Sequence, residues 1–185
     1  MKKRLFIFVE GEDDIRFFGR IVKPLFVSQY DSVDIVPYAS TKREKVSGFL
    51  RSVRLMGNDY IFVADIDTEN SVHDKKQVLY GRYSDLDGRN IVVVIREIES
   101  WYLAGLTTGS AHHLGMRSYG ETDTITKEDF NGMIPARFSS RIDFMFEVLK
   151  FFSLQEAARK NRSFAFFIRH YNVGYDNIQK EMSPG

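Results

Sequence analysis

Leu5-Phe6-Ile7-Phe8-Val9-Glu10-Gly11 is the stretch on which the fold turns: five apolar residues in a row, then a carboxylate and a glycine. A continuous apolar run of this length suits a strand covered on both faces, as in a parallel sheet under helices, whereas a half-exposed strand would alternate. Asp13-Asp14 come next, and then Ile15, Phe18, Val22 and Leu25 or Phe26 recur at helical spacing. The chain therefore reads as strand, turn and amphipathic helix, with the helix expected to end near Pro24 because proline removes a backbone donor. Gly11 is expected to supply a tight backbone path in the turn.

Working outward, the same alternation repeats. Val33-Asp34-Ile35-Val36 reads as a second strand, and Thr41-Lys42-Arg43-Glu44 matches a capping box ahead of a helix whose Val46, Phe49, Leu50 and Val53 share one face. Tyr60-Ile61-Phe62-Val63-Ala64 is a third buried strand running into Asp65-Ile66-Asp67, and Asn90-Ile91-Val92-Val93-Val94-Ile95 is a fourth running into Arg96-Glu97. Because each parallel crossover needs a helix to carry the chain back, this order predicts an α/β fold: a Rossmann-like, mostly parallel four-stranded sheet flanked by helices. It is expected to occupy residues 1–100. Residues 101–185 read as a mainly helical extension packed on it, with helices over 97–106, 139–152 and 163–171, a polar loop over 107–136, and a polar tail after the Asn172-Val173-Gly174-Tyr175 loop.

Composition narrows the function classes. With 185 residues, 43% of them hydrophobic, the chain can bury a core of one domain or one domain and an appendage. The longest apolar runs are far shorter than the roughly 20 residues that cross a bilayer, so no membrane partner is expected. The basic start followed by Leu5 to Val9 meets Glu-Gly-Glu-Asp-Asp at once and reads as a strand, not a signal peptide. The absence of cysteine excludes disulfides and thiolate metal sites and fits a cytoplasmic location. A net charge of +1 argues against nucleic-acid binding by bulk charge alone. Residues 61–136 nevertheless hold 12 acidic against 7 basic side chains, which places an acidic centre between more basic flanks.

The acidic residues fall at the carboxyl ends of strands: Glu10 after the first, Asp65 and Asp67 after the third, Glu97 after the fourth. In an open parallel sheet, ligands bind outside those ends, so residues distant in sequence are expected to converge there. Asp14, one helical step after Glu10, adds a fifth carboxylate. Carboxylates this close would take up protons unless a cation neutralised them, and an all-oxygen set without cysteine selects a hard ion, Mg²⁺ or Mn²⁺.

Val9-Glu10-Gly11-Glu12-Asp13-Asp14, followed about fifty residues later by a strand ending in Asp65-Ile66-Asp67, resembles the TOPRIM domain shared by topoisomerases, bacterial primases, OLD-type nucleases and small ribonucleases. That resemblance implies Mg²⁺-dependent phosphodiester chemistry on DNA or RNA. Glu10 would be the acid that serves as metal ligand or proton carrier, Asp65 and Asp67 the metal-binding pair, and Asp14 a supporting acid. Arg96-Glu97-Ile98-Glu99-Ser100-Trp101, with Asn161-Arg162-Ser163-Phe164, is similar to small stand-alone TOPRIM-like bacterial proteins. Its Arg-x-x-Glu-x-Trp pattern makes Glu99 a competitor of Glu97 as the third ligand. The chain departs from the larger relatives in lacking a topoisomerase tyrosine context, a zinc ribbon and a Gly-x-x-x-x-Gly-Lys-Ser/Thr motif. A stand-alone nuclease is the implied activity.

Plainer readings stand beside these. Asp65-Ile66-Asp67 also has a plainer reading as a capping turn and, ranked well below the TOPRIM one, a reading as the Asp-x-Asp of a haloacid-dehalogenase-type phosphatase, although that motif continues to Thr at a position held here by Glu69 and usually lies on the first strand. Glu97 and Glu99 also suit the first turn of a helix, and Trp101 and Tyr102 suit a core. His73, His112, His113 and His170 have no metal-ligand spacing and read as surface histidines. Lys42, Arg43 and Lys45, like Arg162 and Arg169, serve either phosphate contact or solvation. A non-catalytic nucleic-acid-binding subunit of a larger complex, with a partner protein or a second copy, is the reading from another class.

Overall fold

The computed structural model describes residues 3–174; the polar tail expected after Tyr175 lies outside them. The chain divides into two compact units, one ending at Val94 and one beginning at Ile95.

The first unit opens with β1 (Arg4–Val9), buried from Leu5 onward, as its unbroken apolar run requires. Helix α1 (Glu12–Phe17) leads into a π-helical stretch (Phe18–Val22) and a last turn, α2 (Lys23–Phe26). The helical segment therefore passes Pro24 instead of ending there. The widened stretch explains the difference: the Lys23 amide bonds back to the Phe18 carbonyl, one residue further than in an α-helix, just before the proline that has no amide to offer. Gly11 is a second correction, since its backbone is extended and a Cβ there would meet nothing within 4 Å.

β2 (Ser32–Pro37), α3 (Arg43–Leu55), β3 (Asp59–Asp65), α4 (Val72–Arg82) and β4 (Ile91–Val94) follow. All neighbouring strands are parallel, in the order β2-β1-β3-β4, giving the α/β sheet that the alternation predicts. The capping box at Thr41 does not form. Helix α3 starts at Arg43 behind Lys42, and the Thr41 hydroxyl turns back to the Pro37 carbonyl.

Two directions of crossover set the layers. The chain steps from β1 to β2 on one side and then returns past β1 to β3 and β4, so right-handed connections place α1 on one face and α3 and α4 on the other. On the latter face Phe6, Phe8, Tyr60, Phe62, Ala64, Ile91 and Val93 meet Val46, Leu50 and Val53 of α3 and Leu79 and Tyr83 from α4 and its end. Each fully buried aliphatic side chain there contributes about 1.5–3 kcal/mol relative to exposure.

The second unit is helical: α5 (Glu99–Ala104), α6 (Thr108–His113), α7 (Lys127–Gly132), α8 (Arg141–Lys150), α9 (Leu154–Lys160) and α10 (Arg162–Tyr171). Two helices thus lie within the stretch expected as loop, each started by a threonine hydroxyl, Thr107 or Thr126, that accepts an amide of its first turn. Asn161 organises the core. Its Nδ2 donates to the Ser100 and Thr122 hydroxyls, both at 3.2 Å, while its Oδ1 accepts from the Ser163 hydroxyl and the Phe164 amide that opens α10. Trp101 is fully buried beside Phe164 and Phe167, with its indole N–H donated to Ser163 Oγ at 2.8 Å, which makes it a core residue. No helix among the described residues is long and apolar enough to cross a membrane.

Candidate functional site

The reversal of strand order lies between β1 and β3, and such a switch point opens a crevice outside the carboxyl ends of the strands. Glu10 is the first residue after β1, and Asp65 is the last of β3. The Asp65 amide donates to Glu10 Oε1 at 3.1 Å, joining residues 55 apart in sequence. Tyr38, one residue past β2, completes the contact from the other side of β1. Its hydroxyl is shared between Glu10 Oε1 at 3.2 Å and the Val63 carbonyl at 2.9 Å, while its ring is stacked on Phe62. Glu10 is thereby held by a hydroxyl and an amide, both neutral donors.

Asp67 has left-handed backbone, φ 53°, a conformation that aspartate tolerates better than most residues. The turn it belongs to is closed by the Glu69 amide on the Ile66 carbonyl. Beyond it, the Ser71 hydroxyl caps α4, and Lys75 comes round in the first turn of that helix. The Lys75 ammonium reaches Asp67 Oδ2, with Glu69 Oε2 at 3.7 Å, and the lysine side chain is only 7% exposed. It is a buried cation set against the acidic rim.

These neighbours set the electrostatics. Burial pushes the Glu10 carboxyl above its ordinary pKa and the Asp67 charge pushes the same way, while the Asp65 amide, the Lys75 ammonium and the Tyr38 hydroxyl pull it back. The Tyr38 hydroxyl is raised by burial first and by the Glu10 charge second, so it stays a neutral donor.

The other expected site residues have visible occupations. The buried Asp14 carboxylate accepts from the Gly11 amide at 3.1 Å, closing the start of α1. Glu97 and Glu99 belong to the second unit. There Glu97 accepts from the Lys127 amide at the start of α7, and Glu99, 3% exposed, pairs with Arg141. Arg43 donates to the Gly81 carbonyl, and Arg162 pairs with the buried Asp123. The four histidines are exposed, with His112 and His113 on α6 instead of in a loop.

Tyr38 and Lys75 were outside the sequence reading. Tyr38 was accessible to the strand-end rule that found Glu10 and Asp65. Lys75 carried a subtler signal, a positive charge in the first turn of a helix, where the macrodipole disfavours it.

The oxygen-only donor set suits a hard divalent ion in its chemistry. Among the described residues, however, no group of three or more His, Asp or Glu side chains stands ready to hold a metal. Part of the reason is local: Glu10 Oε1 is turned onto the Asp65 amide and the Tyr38 hydroxyl, and Asp67 is held by Lys75. Comparison with family models, with curated proteins and with solved structures gives no match.

Proposed function

We propose that the chain is a TOPRIM-like, Mg²⁺- or Mn²⁺-dependent nuclease that hydrolyses phosphodiester bonds of DNA or RNA at the strand-end rim. The observation that carries this reading is the Glu10 carboxylate meeting the Asp65 backbone amide at 3.1 Å across the switch point of a parallel sheet, which brings the ends of β1 and β3 to one rim. Glu10, Asp65 and Asp67 would hold the ion, with Asp14 supporting the turn that carries Glu10. When bound, the ion would neutralise charge on the phosphate and lower the pKa of an attacking water. The protein's own part is positional. Tyr38 and the Asp65 amide fix one Glu10 oxygen and leave the other for a ligand or a proton. Burial pushes the Glu10 carboxyl above its ordinary pKa, a cost that a bound cation would offset.

The test is cleavage of a panel of single- and double-stranded DNA and RNA with Mg²⁺ and with Mn²⁺, by the wild type and by Asp65→Ala. Metal-dependent cleavage that falls at least about a hundredfold in the variant supports the reading, the scale expected for losing one group that stabilises transition-state charge. No cleavage of any substrate, or equal cleavage by the variant, overturns it. A second reading, a non-catalytic nucleic-acid-binding subunit, is favoured by the engagement of Asp67 with Lys75 and the lack of a ready three-ligand group. Binding of the same panel without turnover would select it, and hydrolysis of a generic phosphomonoester alone would select a phosphatase.

A further inference from the structure

We infer that Arg43, Arg51 and Arg54 form a track along α3 for the phosphate backbone of a nucleic-acid strand, leading away from the Glu10 rim. The inference rests on the nucleic-acid reading above and adds to it the path of the strand. The whole chain has a net charge of +1, yet α3 and its cap carry Lys42, Arg43, Lys45, Arg51 and Arg54 against one acid, Glu44. Because α3 returns the chain from the end of β2 to the start of β3, it runs from the carboxyl edge of the sheet to the amino edge. Arg43 therefore stands at the rim end, shortly after Tyr38, whose hydroxyl meets Glu10, and Arg54 stands about 16 Å further along the helix at 1.5 Å per residue. At 3.6 residues per turn these three arginines fall within about 80° of one another, and Lys45 lies on the far side of the helix.

All three reach the segment 81–85, which runs beside α3. Arg43 donates to the Gly81 carbonyl at 3.0 Å, Arg54 to the Asp85 carbonyl at 3.3 Å, and Arg51 to Asp85 Oδ2 at 3.5 Å. Arg54 also lies 4.0 Å from Asp85 Oδ1, so among these contacts a single carboxylate faces three guanidiniums. Arg82, exposed on the same segment, adds a fourth, set over the Tyr83 ring. Arg51 and Arg54 are 67% and 56% exposed in their side chains, and exposed pairs this long contribute little, so a phosphate displaces Asp85 from them readily. The planar guanidinium fork matches that ligand. Between Arg51, Arg54, Leu55 and Asp85 opens a cleft of about 300 Å³. Leu55, 82% exposed, forms its apolar side, so the cleft offers a nucleotide both donors for phosphate and a surface for sugar or base. At 3.4 Å of axis rise per phosphate of one strand, the length of the track matches about five phosphates.

The experiment is fluorescence anisotropy of labelled single- and double-stranded oligonucleotides with the whole chain across a salt series, once with EDTA and once with Ca²⁺. It compares the wild type with Arg43→Gln, Arg51→Gln, Arg54→Gln, the double variant Arg51→Gln/Arg54→Gln, its charge-keeping counterpart Arg51→Lys/Arg54→Lys, and Lys45→Gln on the far side of α3. Each single glutamine variant in the track is expected to lower the slope of log affinity against log salt by about one. The double glutamine variant is expected to bind about tenfold more weakly at about 0.15 M salt, while the lysine pair and Lys45→Gln stay within about threefold of the wild type. Circular dichroism and melting curves establish which variants fold, and the single variants carry the test if the double does not. Binding by the double variant within about twofold of the wild type with an unchanged slope overturns the track, as does an equal loss in Lys45→Gln. Displacement of the oligonucleotide by polyglutamate as effective as by unlabelled oligonucleotide at equal charge overturns it too, assigning the surface to acidic peptides. Failure of the nuclease reading looks different: binding without cleavage removes the nuclease and leaves the track standing, whereas no binding by the wild type overturns both.

Discussion

The carboxylates of the helical unit and those at the sheet rim of the first unit are treated in opposite ways. In the helical unit Glu99 faces Arg141, Asp123 faces Arg162, and Glu156 faces Arg159 and Lys160; Glu97 takes an amide at a helix start. At the sheet rim of the first unit, Glu10 is met by a hydroxyl and an amide, and it shares its surroundings with Asp67 and a lysine. Acids in the first group have a dedicated partner and serve folding. In the second, burial and the Asp67 charge hold the Glu10 carboxyl above its ordinary pKa, a costly arrangement that a ligand of opposite charge would relieve.

The sharpest way to break this comparison is to remove a carboxylate from the first group. Glu99→Ala leaves Arg141, itself three-quarters buried in its side chain, without its acid, and is expected to lower unfolding free energy by about 3 kcal/mol, at the low end for breaking a buried pair. Urea unfolding of the whole chain measures it. A loss under about 1 kcal/mol would mean that Glu99 is not a folding residue and would restore it as a ligand candidate.

A smaller effect is expected at the rim. Tyr38→Phe keeps the ring stacked on Phe62 but removes the hydroxyl from both the buried Val63 carbonyl and Glu10, for a cost of about 1–2 kcal/mol in the same unfolding assay. If instead the variant is as stable as the wild type, the hydroxyl serves Glu10 without supporting the fold, and the rim is even less bound into the core than proposed.

How much of this was legible in the sequence depends on whether a feature is set by pattern or by register. The unbroken apolar runs at Leu5 to Val9 and Tyr60 to Ala64 were enough to find buried parallel strands, and parallel strands were enough to bring Glu10 and Asp65 to one edge. The helix across Pro24 was hidden because a π-helical stretch leaves no mark in hydrophobic spacing. The start of α3 at Arg43 was hidden because the chain places Lys42 at the cap position, with the Thr41 hydroxyl donated back to the Pro37 carbonyl instead of accepting an amide of the helix. Tyr38 and Lys75 were missed for a related reason. A tyrosine and a lysine become part of a site through the side-chain direction fixed by neighbouring turns, here the exit from β2 and the left-handed Asp67, which no local periodicity encodes.

The smallest expected effect tests whether arginine pairing also marks a structural acid inside the first unit. Asp87 accepts the amide and the guanidinium of Arg89 and caps a short helical turn over Gly88–Asn90. The Arg89 guanidinium holds its carboxyl down from 3.8 to about 2. Because the folded value lies below the unfolded one, the stabilisation is present in full above the unfolded value of 3.8 and is lost as pH falls through about 2. The difference in melting temperature between the wild type and Asp87→Asn should therefore be flat above about pH 4 and close progressively toward pH 2. It should be slight, since Arg89 is 86% exposed and water and salt screen the pair. A gap that widens as pH falls would reverse the assignment: Asp87 would then resemble Glu10, an acid whose charge the fold tolerates instead of uses.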